Sequence, residues 1–158
     1  MERDPWAAEI SLARSTVMWG GASVLAGLGL AAARRGPRLT AFGLQNAGWG
    51  VVDLGIAAVA ERLRVRRMER LADPYAAAAV DREARRLRRV LLVNVALDAG
   101  YVVGGAALWR RRRDRPGPAG AGAAIVLQDG FLLAHDALHV LRIGAQSALS
   151  TGTHQPAS

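Results

Sequence analysis

Residues 90–109 read VLLVNVALDAGYVVGGAALW, and hold one acid, Asp98, and no base. At 1.5 Å per residue a helix of that length measures about 30 Å, the thickness of a bilayer's hydrocarbon core. A soluble helix would show a polar face at a 3.6-residue period, whereas this run is apolar nearly all round. Three more runs extend the pattern on either side. Residues 15–33 carry no charge, residues 39–60 carry one acid, and residues 121–141 carry two acids and two histidines. The expectation is an all-α integral membrane protein, a four-transmembrane-helix bundle with helices at about 15–33, 39–60, 90–109 and 121–141. A soluble four-helix bundle would need the polar outer faces that these runs lack.

The charges lie elsewhere. The 158-residue chain is 51% hydrophobic and 22% charged with a net charge of +8, and all 21 of its basic residues are arginine. Arginine without lysine reads as the composition of a GC-rich bacterial genome. A pI near 11.5 would suit nucleic acid, but the arginines flank the apolar runs, where anionic lipid headgroups account for them. No nucleic acid partner is expected. Cysteine is absent, which excludes disulfides, thiol catalysis and iron–sulfur ligation. Residues 1–14 mix acids, bases and a proline, so the first apolar run reads as a retained helix and not as a cleaved signal.

Two short turns, 34–38 and 110–118, combine arginines with Gly-Pro helix stops. They divide the chain into two helical hairpins. Residues 61–89, with ten arginines and five acids, read as a charged helical hairpin broken at Asp73-Pro74, outside the membrane. One domain, 1–144, would precede a disordered tail, 145–158. A short repeat links the hairpins: Gln45 precedes Asp53 by eight residues, as Gln128 precedes Asp136. Two pseudo-symmetric hairpins follow from it, with chance as the competing account. The termini side carries 13 arginines and the turn side eight. The positive-inside rule then favours cytoplasmic termini in a bacterial inner membrane.

The polar residues inside the runs are the candidate site. An ionisable group in hydrocarbon costs at least about 2.5–3.5 kcal/mol on insertion scales. Asn46, Trp49 and Asp53 share one helix face, as do Asn94, Asp98 and Tyr101, and again Asp129, Asp136 and His139. Such stripes must face the bundle interior. Counted from the termini side, Asp53, Asp98 and Asp136 lie roughly 10, 12 and 8 Å deep, so they are expected to meet in one layer. Three carboxylates there need protonation, a bound cation, or pairing with His135, His139 or an arginine. Alternatively, these Asp, Asn and Gln residues only tie helices together, at about 0.6–2 kcal/mol per bond. Leu133 to His139 also places His135 and His139 at i, i+4, a spacing that can share a metal. The run is not HExxH, and histidines near helix ends are more often interfacial. Gly100 and Gly104 on the third run, with Ala22, Ser23, Ala26 and Gly27 on the first, would permit close helix contact.

The order Gln45-Asn46-x-x-Trp49-Gly50-x-x-Asp53-Leu54, then Leu92-x-Asn94-x-x-Leu97-Asp98-x-x-Tyr101, then Gln128-Asp129-Gly130-Phe131 to Asp136-x-x-His139 resembles an uncharacterised family of small bacterial four-helix integral membrane proteins. The resemblance covers the last three runs; it implies the architecture and the polar positions, and no activity. Three functional classes follow from the residues. The first is a module handling a proton, cation or small polar solute. The second is a structural or assembly subunit, with a homo-oligomer or a membrane complex as its setting. The third is a metal-dependent membrane enzyme. A cation at the aspartates is the one cofactor suggested. A functional site needs a cavity at the carboxylates; helix glue needs a dry and fully paired network.

Overall fold

Prolines and turn residues set the helix boundaries. The computed structural model describes residues 4–152, with side chains as far as Ile143. It consists of α1 (Pro5–Ala32), α2 (Pro37–Glu69), α3 (Ala77–Arg111) and α4 (Pro116–Gly152), with no strand among the described residues. Three of the four helices start on proline, whose missing N–H falls where a helix has no internal acceptor. At α1 the Asp4 carboxylate also accepts from the Trp6 backbone N–H at 2.9 Å, capping the first turn. The α1–α2 turn passes through Gly36 at φ +113°, a conformation that only glycine adopts without strain.

α1 therefore begins ten residues before the apolar run at 15, because Asp4-Pro5 is itself a helix start. α2 and α3 continue beyond their apolar stretches as the expected charged hairpin, turning at 70–76. In that turn Asp73 Oδ1 accepts from the Tyr75 N–H at 2.8 Å. Part of the tail expected to be disordered falls on α4, which runs to Gly152. The remainder, 153–158, lies outside the described residues.

α1 lies along α2, and α3 along α4. The two hairpins join chiefly through α2 and α4, and touch more lightly between α1 and α3. No Cα of α2 comes within 8 Å of α3 among the described residues. Glycine lets the joined helices meet backbone to backbone. A Cβ on Gly27 would strike the Gly43 carbonyl, and one on Gly50 would lie 2.5 Å from the Gly20 carbonyl. Between α3 and α4 a Cβ on Gly122 would lie 2.7 Å from the Gly105 carbonyl. At the joined turns, one on Gly120 would run into Arg38. Gly100 and Gly104 take no part: a Cβ on either meets nothing within 4 Å. On α1 it is Gly20, Ser23 and Gly27 that are buried, while Ala22 and Ala26 face outward.

The bundle is polar inside and apolar outside. Asn46, Asp53, Asp98, Gln128, Asp129 and Asp136 are all at most 8% exposed. Met18 and Leu25 stand 75% exposed, Val103 70% and Leu141 68%. Water would penalise such a surface; hydrocarbon does not. Pro5–Ala32, Ala77–Arg111 and Pro116–Ile143 are long and apolar enough to cross a membrane, and the chain is a membrane protein on that ground. α2 is long enough, but Gln45, Asn46 and Asp53 lower the hydropathy of its middle. The bundle buries two of those three, Asn46 and Asp53.

Candidate functional site

Two polar clusters hang from α4. At the lower one, nearer the short turns, Gln128 is fully buried. Its carboxamide oxygen accepts from Ser23 Oγ on α1 at 3.1 Å, and its nitrogen donates to Asp53 Oδ2 on α2. At the upper one, Asn94 Nδ2 on α3 donates to Asp136 Oδ2 at 3.3 Å. Asp136 Oδ1 lies 3.0 Å from His135 Nδ1, and His135 Nε2 lies 2.7 Å from Ser15 Oγ. His139 Nδ1 reaches back to the His135 carbonyl at 2.9 Å.

Asp98 and Asp129 complete the set differently. They are 8% and 2% exposed, and the Oδ2 of each is buried with no hydrogen-bond partner. A buried acceptor without a donor costs about 1–3 kcal/mol, more when charged. Asp98 lies within electrostatic range of Asp136, Asp129 and Asp53. All four carboxylates line one cavity of about 820 Å³.

The cavity occupies the space where α2 and α3 stand apart. Toward its lower end it is lined by Trp49 and Tyr101, ring centroids 5.6 Å apart at 66°. Its walls are apolar, with Val52, Ile56 and Val59 from α2 facing Val90 and Leu97 from α3. Its mouth, at the charged end, holds Glu9, Arg67 and Arg86. Arg67 pairs with Glu9 at 2.7 Å and Glu83 at 2.9 Å; Arg86 pairs with Glu83 at 2.7 Å and Glu9 at 3.1 Å. Arg64 is held by Glu61 at 2.5 Å. These pairs tie α1, α2 and α3 together. The start of α1 is fixed there too, by Trp6 Nε1 donating to the Pro74 carbonyl at 3.1 Å.

The aspartates are stepped, not level. Asp129 and Asp136 are seven residues apart on one helix, or about 10 Å along its axis. Asp53 is bonded near the lower step and Asn94 near the upper. Asn94 and Tyr101 face the cavity and Trp49 is half-buried beside it, whereas Asn46 donates to the Phe42 carbonyl of its own helix at 3.3 Å. Gln45 is half-buried and does not line the cavity. The repeat is thus unequal in use: Gln128 bridges two helices, and its counterpart Gln45 stands apart.

Ser15 and Glu9 carry no signal of a site in the sequence, and Ser23 stands out there only as a small residue suited to close helix contact. Serines on an apolar helix give little signal, although Ser23 shares the Gly20–Gly27 stripe. Asp4-Pro5 could have shown that Glu9 is helical. Ser15, His135 and Asp136 follow the order of a hydrolase triad. However, Ser15 Oγ also contacts the Ser11 and Leu12 carbonyls at 2.9 and 3.0 Å. Neither it nor His135 lines the cavity, and mid-helix backbone N–H groups are committed, leaving none to stabilise an oxyanion. Among the described residues no three His, Asp or Glu side chains are placed to hold a metal ion.

Residues 15–137 match a family of unknown function, DUF6992. The chain belongs to that family. The match runs from Ser15 on α1 to Ala137 on α4, so it includes all four cavity carboxylates and both polar clusters. Glu9 and His139 fall outside it. No curated protein and no solved structure matches the chain.

Proposed function

We propose that this DUF6992 protein handles a proton, cation or small polar solute through Asp53, Asp98, Asp129 and Asp136. One observation carries the reading: Asp98 and Asp129 present buried, unbonded carboxylate oxygens to a cavity. A network that served only as glue would be dry and paired throughout. Half of this one is paired, and the unpaired half borders open space. In this reading α2 is a fourth crossing, its carboxylate held within the bundle by Gln128. The protein then lies in a bacterial inner membrane with cytoplasmic termini, and its arginine-rich turns meet anionic lipid headgroups on the opposite face.

The test is flux in proteoliposomes under an imposed pH gradient. Asp98→Asn preserves shape and removes the ionisable oxygen. The folded variant is expected to lose pH-driven flux, while Asn46→Ala retains it. Equal flux in wild type and Asp98→Asn would sink the proposal.

The Ser23–Gln128–Asp53 chain supports a second reading, a structural or assembly subunit, because it is buried and bonded at each link. Under that reading no flux exists, and Asp98→Asn leaves stability unchanged or improved. Cross-linking in native membranes would then trap a second copy or a partner subunit.

A further inference from the structure

We infer that the cavity takes an organic monocation with a bulky apolar body, admitted sideways from the bilayer between α2 and α3. The inference rests on the reading just given and names its substrate class. Size argues first. A bare proton needs no chamber of about 820 Å³, and among the described residues no three His, Asp or Glu side chains are placed to hold a metal ion. A volume of several hundred Å³ is that of sites for drug-sized organic molecules.

Charge argues second. The arginines at the mouth are matched by Glu9, Glu61 and Glu83. Asp53, Asp98, Asp129 and Asp136 face no base in the cavity beyond those matched arginines. Two of the four keep an unbonded buried oxygen, Oδ2 of Asp98 and Oδ2 of Asp129. An anion is repelled there, and a neutral solute leaves carboxylates uncompensated. A cation fits both the sign and the vacant acceptors.

The walls argue third. Val52, Ile56 and Val59 on α2 are 44%, 59% and 57% exposed, and Val90 and Leu97 on α3 are 43% and 55% exposed. These side chains offer apolar contact to a guest's body and continue outward into the lipid-facing surface. Between the Trp49–Tyr101 ring contact and the Arg67–Glu83 ion pair, α2 and α3 bring no Cα within 8 Å of each other, and through that stretch an amphiphile dissolved in the bilayer reaches the carboxylates without crossing the ion-paired mouth. Toward the lower end Trp49 and Tyr101 line the cavity, and aromatic rings attract organic cations.

Equilibrium dialysis of the full-length protein in lipid nanodiscs tests this with tetraphenylphosphonium as probe and neutral triphenylphosphine oxide as control. Saturable binding of the cation is expected, at least about tenfold tighter than that of the oxide. Asp98→Asn with Asp129→Asn should weaken cation binding by about tenfold or more and leave the oxide unaffected. Tyr101→Ala, at a ring 47% exposed that touches Trp49 across the cavity, should weaken it by about threefold. Equal retention of cation and oxide overturns the inference, as does cation binding indifferent to the double variant. If Asp98-dependent proton flux persists while tetraphenylphosphonium does not bind, the substrate class falls and the proton reading stands. If both are absent, both fall.

Discussion

The two ends of this bundle are built on opposite principles. Toward the short turns, helices meet on glycine: Gly27 against Gly43, Gly105 against Gly122, Gly120 against Arg38. Toward the charged end, α2 and α3 are joined by side-chain ion pairs instead of close backbone contact, and the space between them is edged by carboxylates and valines. Lipid explains why one chain needs both. Apolar burial gives helices no reason to associate when the solvent is itself apolar, so close van der Waals contact must hold them. Once the turn end is clamped in that way, the other end is free to stay open and polar.

The sharpest way to break this comparison is to spoil the clamp. Gly43→Val places a branched side chain against the Gly27 carbonyl and the Ala31 backbone. Neither helix backbone yields cheaply, so a loss of about 3 kcal/mol or more is expected. Unfolding in mild detergent, followed by circular dichroism, would register it. A Gly43→Val protein as stable as wild type would mean that the hairpin seam is not the clamp.

Gln128→Leu probes the boundary between the halves. It leaves Asp53 and Ser23 without their bridge in a buried setting, and about 2 kcal/mol should be lost. Adding Asp53→Leu should recover most of that loss, since an apolar pair strands no polar atom. Failure of the second change to rescue the first would show that the bridge does more than satisfy its own ends. Trp6→Phe is a smaller perturbation at the charged end. It deletes the indole bond to Pro74 while keeping most of the ring, and about 1 kcal/mol is expected in the same assay.

Gly104→Ala completes the set from the open side. Its Cβ meets nothing within 4 Å, so the change should be neutral or stabilise by up to about 1 kcal/mol through helix propensity. Gly43 and Gly104 occupy comparable helices, and only the first should resist a methyl group. Similar responses from both would erase the distinction between clamp and opening.

The sequence announced the clamp and the opening unequally. Uncharged runs of bilayer length, arginine at their ends and Gly-Pro turns all act locally, so helix number and hairpin pairing were readable from them. The polar stripes were readable too, because carboxylates in lipid have only the interior to face. Which glycines would touch was readable at Gly27, which meets Gly43, but not on α3. Gly100-x-x-x-Gly104 has the expected spacing, yet the contacts go through Gly105, since α3 turns that neighbouring face toward α4. The axial stagger of α4 was hidden for a related reason. It follows from which α4 residues bond α2 and α3, Gln128 to Asp53 and Asp136 to Asn94, long-range pairings that residue counting does not contain. The hidden anchor at Trp6 and Glu9 was obscured by treating a charged leader as outside the first helix, although Asp4-Pro5 is a start signal.

The bond between Gln128 and Asp53 joins residues 75 positions apart. Ribosomes add roughly 5–20 residues each second, so Asp53 emerges some seconds before its partner has been made. During that interval the first hairpin holds a carboxylate whose partner in the folded bundle has not yet been made. A second helix of low hydropathy is ill suited to enter lipid alone in that condition. If α2 is the fourth crossing proposed above, its settling into the bilayer waits on the last helix to be synthesised, and a chain truncated before residue 128 should leave α2 exposed to extraction by alkali and to surveillance proteases.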